Sequence, residues 1–297
     1  MRPPNPIPSD LRTRPFHVAT ALDAGVSRRR LRHGDLATPF HAVRSVGSVE
    51  SVQERAVAYA VRMAPDHVFS HATAAMLHGI PLPLQVERDS RVHVSALGWG
   101  RAPRGRGVAG HSTGVETVIR VVHGVRAMGP ADTWCSLAGV LDIDDLIAAG
   151  DRLIGLPRPL ATLDEIDAAI VRHGRRTGSA RLARARVELR ANSYSRRESL
   201  ARLTLVRAGL PEPEPNAQIR LRSGGCTKGD LVYRRHRVLV EYDGDHHRSD
   251  DRQWATDVSR LNDLVADGWI VIRVTKRTPP AELVARVARA LEDRGRR

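Results

Sequence analysis

The sequence predicts an α/β protein, on three observations. Helical stretches are interleaved with β-like runs along the chain. The last third orders its elements as helix, three strands, helix, strand, helix. The length of 297 residues, 41% of them apolar, suits two or three cores rather than one. Aromatic residues make up only 4%, so those cores fall to Ala, Val, Leu and Ile.

Taken in order, residues 1–14 open as Met1-Arg-Pro-Pro-Asn-Pro-Ile-Pro and are expected to form a disordered, proline-rich leader. It lacks the apolar stretch of a secretory signal. Phe16–Ala24 reads as a short amphipathic helix and Gly25-Val26 as a turn. Ser27 is the expected N-cap of a second helix, Arg28–His33, with Gly34 as its stop. Leu36–Val46, with Pro39 inside, reads as a small hairpin. Helix, glycine turn, arginine-rich helix and hairpin is the order of a winged helix-turn-helix over 15–48. Its second helix would present Arg28, Arg29, Arg30 and Arg32 to phosphates or guanine edges. The plainer alternative is a basic surface helix that touches nothing.

Residues 49–190 are expected to form an α+β middle domain. Val52–Ala64 reads as a helix, and Ser70 caps a second that Gly79 closes. His71 and His78 are seven apart and share a helical face. With no third ligand close in sequence they read as packed or capping histidines. Val92–Ser95 and Val118–Val122 read as strands around a Gly/Arg-rich loop. Pro130–Leu141, Ile143–Ile154, Leu163–His173 and Ala180–Leu189 read as helices, with Trp134 in the core.

A composition shift at Ala191-Asn-Ser-Tyr-Ser195 is taken as a linker to a last domain, 191–297. Arg196–Ala208 reads as a helix ended by Gly209, with Pro211, Pro213 and Pro215 forbidding continuation. Strands are expected at Gln218–Arg222, Asp230–Tyr233 and Val238–Asp243. A helix over Asp250–Ala266, a strand over Trp269–Val274 and a helix over Ala281–Leu291 complete an αβββαβα order. Trp269 reads as core, and Trp254 as the one tryptophan left accessible.

The chemistry concentrates in Val238-Leu-Val-Glu-Tyr-Asp-Gly-Asp-His-His247. Strand alternation puts Leu239, Glu241 and Asp243 on one face, and Val238, Val240 and Tyr242 on the other. Carboxylates on a strand that otherwise reads as buried are costly unless compensated, and a divalent cation is the common compensation. Asp230 and Glu241, on neighbouring strands, are placed to share one ion, with Glu198 reaching it directly or through water. Hard oxygen donors suit Mg2+ or Mn2+.

These residues resemble the active-site signature of the PD-(D/E)xK nuclease superfamily. The nearer resemblance is to domain-of-unknown-function family 559, related to very-short-patch-repair endonucleases. It is carried by Arg197-Glu-Ser-Leu, Gly209-Leu-Pro, Asp230, Val240-Glu-Tyr-Asp-Gly, His246 or His247, Asp257-Val-Ser-Arg260 and Gly268-Trp-Ile-Val-Ile-Arg-Val-Thr275. The resemblance implies a nuclease-like core in which His246 or His247 moves the proton, Arg260 holds the phosphate, and Asp257 orients that arginine or a histidine. The superfamily's usual lysine two residues after the second acid is Asp243 here. Arg stays charged and cannot replace it. The histidines or Lys228, on the same strand face as Asp230, are the available substitutes. More weakly, Ala24-Gly-Val-Ser-Arg-Arg-Arg-Leu-Arg, Ser70-His-Ala-Thr-Ala-Ala and Pro130-Ala-Asp-Thr-Trp resemble the amino-terminal and middle regions of abortive-infection type IV antitoxins, which bind DNA through a winged helix.

Charge points the same way. The net charge is +14, and Lys228 and Lys276 are the only lysines among 47 basic residues. That balance favours a polyanion, nucleic acid first and a membrane surface second. Solvated arginine on helix faces is the plainer explanation. Cys135 and Cys226 lie far apart, which argues against a disulfide framework or a structural zinc site of cysteines. No apolar run approaches the roughly 20 residues that span a bilayer. The expectation is a cytoplasmic, Mg2+- or Mn2+-dependent DNA endonuclease with an N-terminal DNA-binding module. The competing reading is a non-catalytic DNA-binding regulator, antitoxin-like, on a degenerate nuclease fold. An RNA-directed nuclease is a third.

Overall fold

The structure, a computed structural model, describes residues 5–222, 224–243 and 251–295, with side chains except at 243 and 251–257. In chain order its elements begin α1 (Ser9–Arg12), β1 (Phe16–His17), α2 (Val18–Asp23), β2 (Val43–Arg44), α3 (Val52–Ala60), β3 (His67–Phe69), α4 (His71–His78), α5 (Leu84–Glu87), β4 (Val92–Leu97), β5 (Val108–Thr113), β6 (Ile119–Val122) and β7 (Val125–Met128). They continue α6 (Pro130–Leu137), α7 (Ile143–Ile154), α8 (Leu163–His173), α9 (Ser179–Val187), α10 (Arg196–Arg207), β8 (Glu214–Arg220), β9 (Cys226–Tyr233), β10 (Val238–Asp243), α11 (Asp251–Ala266), β11 (Ile270–Thr275) and α12 (Pro280–Gly295). The fold is mixed α/β. The chain divides into two compact units: Met1–Leu141 with Leu160–Ala183, and Asp142–Pro159 with Arg184–Arg297. None of the described helices is long and apolar enough to cross a membrane.

In the first unit the expected leader is packed from residue 5 onward. Ile7 and Leu11 are buried with Phe16, Ala21, Val26, Leu31 and Leu36. Proline does not prevent this, because Pro8 stands just ahead of α1, where no intrahelical N–H is required. The arginine-rich stretch departs further from expectation. Arg28–His33 does not form an α-helix; it makes one 3₁₀ turn, Arg30–Arg32. The Arg30 guanidinium is held by Asp35 at 2.8 and 2.9 Å and donates to the Asn5 carbonyl, while Leu31 is buried below it. These contacts hold the backbone in a short turn. Of the hairpin expected over Leu36–Val46 the structure shows one isolated bridge, Ala37–Ser45, and β2 pairs antiparallel with β1 instead.

The rest of this unit is organised by a five-stranded sheet in the order β5-β4-β3-β7-β6. β3 is antiparallel to β4 and parallel to β7, β4 is parallel to β5, and β6 and β7 form a hairpin. Its two-residue loop, His123-Gly124, has φ of 49° and 76°, the left-handed pair that a type I′ turn requires. β3, β5 and β7 are absent from the sequence expectation, being short or glycine-containing. On β4, Val92 and Val94 face a core with Phe40, Tyr59 and Phe69, so alternation turns His93 and Ser95 to the other face. Trp134 on α6 is buried as expected.

The second unit carries the αβββαβα order. β8, β9 and β10 form an antiparallel meander, and α11 returns the chain to place β11 parallel to β10. On one face of the sheet, Val238 and Val240 pack with Ala201 and Leu205 of α10 and Leu283 and Val287 of α12. On the other, Leu239 packs with Ile219, Val232, Leu264 of α11 and Trp269. The alternation expected for β10 is therefore realised, and Trp269 is core.

The units do not part at 191–195. Residues 142–159, expected in the middle domain, belong with the C-terminal sheet. A buried ion pair explains this. Asp151 on α7 and Arg202 on α10, each 1% exposed, meet at 3.2 Å. Asp151 also accepts from the Arg190 backbone N–H and the Ser199 hydroxyl, both at 2.7 Å, and Arg202 reaches Glu212 at 2.9 Å. Removing one partner would strand the other charge. Arg202→Met is expected to cost about 3–5 kcal/mol of the second unit's stability in urea unfolding, and the double replacement Asp151→Leu/Arg202→Met less than the single one.

Candidate functional site

The site expected at Asp230 and Glu241 is built by strand register. β9 and β10 pair Tyr233 with Val238, Val232 with Leu239 and Leu231 with Val240. Continuing that antiparallel register sets Asp230 opposite Glu241, with both side chains on the Leu239 face, where α11 packs. The ladder stops there because the Asp230 carboxylate accepts the Tyr242 backbone N–H at 2.7 Å. On the far side of β10, Glu241 is in register with Arg273 of β11.

The two acids have different surroundings. Glu241 accepts from both terminal nitrogens of Arg260, at 3.1 Å each, and Arg260 also donates to the Lys228 carbonyl at 2.9 Å. Burial, with the nearby Glu241 charge, pushes the Asp230 carboxyl up to about 7, against the lowering effect of the Tyr242 hydrogen bond; Glu198 adds to the rise and Arg260 opposes it. Asp230 is thus the acid that the fold leaves undercompensated.

Glu198 lies within electrostatic reach of Asp230, but its carboxylate has other work. Ser195 caps α10 by accepting from the Glu198 N–H, and Glu198 in turn accepts from the Ser195 hydroxyl, the Tyr194 N–H and the Asn216 amide. Lys228 is exposed, with its ammonium 5.6 Å from the centre of the Tyr194 ring. The structure therefore brings Asp230, Glu241 and Arg260 together, keeps Glu198 close and engaged, and sends the Lys228 head group to Tyr194. His246 and His247, and the side chains of Asp243, Trp254 and Asp257, lie outside the described residues.

Of the N-terminal arginines, Arg28, Arg29 and Arg32 are exposed. Arg30 is not available to a phosphate: its side chain is 9% exposed and paired with Asp35. Trp99 stands fully in solvent, on a loop with Arg101, Arg104 and Arg106.

A second group of titratable side chains lies inside the first unit, where nothing in the sequence spacing points to it. His71, His93 and His111 come from α4, β4 and β5, and one ring nitrogen of each lies within 4.8 Å of the others. Burial pushes His71 down to about 3 and His111 to about 4, with neighbouring imidazoles adding to both shifts, and His93 also falls below the ordinary value on burial. His78, which shares a helical face with His71, instead donates to the Met128 carbonyl at 2.8 Å.

No family model matches the chain, and no solved structure matches it with significance. The chain is similar to two uncharacterized proteins from two strains of Mycobacterium tuberculosis. Each is 28% identical over an alignment of 155 positions that covers 48% of this chain. The similarity spans 57% of the length of each relative.

The raised Asp230 value has a thermodynamic consequence. Between about pH 4 and about pH 7 the folded unit retains a proton that the unfolded chain has released, so this group's contribution to stability falls as pH rises through that window. Asp230→Asn is expected to flatten that slope and to stabilise the unit by a few kcal/mol above about pH 7, read by urea unfolding across the range. An unchanged slope would show that Asp230 titrates normally.

Proposed function

We propose that the second unit is a metal-dependent nuclease domain of the PD-(D/E)xK type acting on DNA, and that the first unit supplies DNA contacts. The observation that carries this reading is the cross-strand placement of Asp230 and Glu241, with Asp230 half-buried, crowded by negative charge and accepting the Tyr242 N–H. A fold gains nothing in stability from such a carboxylate, whereas a hard divalent cation is stabilised by it.

The donor set fits Mg2+ or Mn2+ at Asp230, with Glu241 as the second ligand once Arg260 is drawn to a phosphate. Such an ion would neutralise phosphate charge and make a water more acidic. The remaining roles fall to the chain. Asp230 is fixed through the Tyr242 N–H. Arg260, anchored on the Lys228 carbonyl, can exchange one anionic partner for another, and Glu198 holds the start of α10 while adding negative field. Lys228 shares the strand face of Asp230 and is the candidate proton carrier among the described residues.

DNA as the polymer is supported by the net charge of +14, by exposed Arg28, Arg29 and Arg32, and by Trp99 in its arginine-rich loop. A second reading, a non-catalytic DNA-binding regulator, is favoured by the two-pronged Arg260–Glu241 pair, which already neutralises one of the two acids.

One experiment separates them, and a second tests the DNA contacts. With plasmid and Mg2+ or Mn2+, the wild-type protein is expected to cut, and Asp230→Ala and Glu241→Ala are each expected to lose cleavage by orders of magnitude while still binding DNA. Salt-sensitive binding without cleavage in any metal would favour the regulator. For the DNA-binding arginines, Arg28→Ala/Arg29→Ala should weaken binding uniformly across sequences. It should also lower the log–log salt slope by about one for each phosphate no longer neutralised. An unaltered slope would remove this turn from the interface.

A further inference from the structure

We propose that His71, His93 and His111 form a binding site for one divalent transition-metal ion of the zinc class, inside the first unit and separate from the carboxylates of the second. The donor set comes first. Three imidazoles suit zinc and its neighbours rather than Mg2+ or Mn2+, which prefer oxygen. Three protein ligands also leave a coordination position free. His71 and His111 line a cavity of about 610 Å³ walled by α6 and α8, so an ion between them borders that space.

The spacing is that of ligands sharing an ion. His93 Nδ1 and His111 Nε2 are 3.1 Å apart. Two nitrogens at zinc–nitrogen distances of about 2.0–2.1 Å, in tetrahedral geometry, stand roughly 3.3 Å apart. The rings of His93 and His111 lie nearly parallel with centres 5.2 Å apart, whereas His71 stacks face to face on His111 with centres 3.7 Å apart, so the His71 ring must turn for its in-plane lone pair to meet an ion held by the other two. The His93–His111 approach is also that of an N–H···N hydrogen bond, which an ion would replace, and the third nitrogen, on His71, lies within 4.8 Å of both.

The groups behind the rings supply an independent observation. His71 Nδ1 is 3.0 Å from Ser70 Oγ, which also accepts from the Ser95 hydroxyl; donation from His71 to Ser70 leaves Nε2 of His71 with its lone pair free. His93 Nε2 is buried without a hydrogen bond, and Asp89 Oδ2 stands 3.6 Å from it, itself held by Arg91. At 3.6 Å Asp89 does not hydrogen-bond His93, but it faces the ring nitrogen away from the cluster, where a carboxylate closing on the N–H would orient a metal ligand. His71 also has φ of 48°, a left-handed backbone that costs energy for a residue with a Cβ.

The test uses tag-free, full-length protein, stripped with chelator and titrated with zinc chloride against a chromophoric competitor. Wild type is expected to take up one tight equivalent, and Asp230→Ala/Glu241→Ala to take up the same, which separates this site from the proposed nuclease centre. His93→Gln and His111→Gln should lose it, Ser70→Ala and Asp89→Asn should weaken it roughly 10–100-fold, and His41→Gln, an exposed control, should be unaffected. Because histidine variants can misfold, cobalt chloride is added to the wild-type protein alone, where visible ligand-field bands of low-symmetry nitrogen coordination are expected. Absence of those bands, or equal zinc affinity in wild type and both histidine variants, would overturn the site.

Discussion

The constraint on which the proposed site of the second unit depends is the register between β9 and β10. It places Asp230 and Glu241 side by side on the sheet face that also carries Val232 and Leu239. Sheet geometry cannot separate them without shifting every neighbouring residue to the wrong face. Among the described residues the surroundings respond unequally: Arg260 covers Glu241, and Asp230 accepts the Tyr242 backbone N–H. A fold selected for stability alone would place an apolar or neutral side chain at 230. The acid at 230 is the feature on which the proposed function rests, and that is why charge rather than shape leads the functional reading.

Much of this is legible in the sequence, and the reasons are local. Val238–Asp243 announces its two faces through alternation, and the αβββαβα order follows from Gly209, the prolines after it and the apolar runs between. Glu198, Asp230, Glu241 and Arg260 stand out in the sequence as charged residues of one neighbourhood, although Arg260 sits on Glu241 and Glu198 serves its own helix start. Local signals fail where a distant partner decides the outcome. Arg28–His33 has a helix-like composition, yet Asp35 and the Asn5 carbonyl hold Arg30 in a 3₁₀ turn. Ile7 and Leu11 look like part of a loose proline tract until Phe16 and Leu31 cover them.

The histidine cluster shows the limit of motif reading most plainly. His71, His93 and His111 are separated by 22 and 18 positions, with no ligand-like spacing, and convergence depends on β4 and β5 lying parallel beside the start of α4. β5 itself, with Gly110 inside it and several exposed positions, carries little strand signal. Only the sheet order brings these rings together, just as only Met128 explains why His78 turns away.

The partition of the chain has a consequence for biosynthesis. Residues 142–159 leave the ribosome before 160–183, which belong to the other unit, and well before Arg202, the buried partner of Asp151. Helix α7 must therefore wait, its aspartate unpaired, while a segment destined elsewhere is made. The polypeptide passes between the two units three times, so no single proteolytic cut can release either one whole.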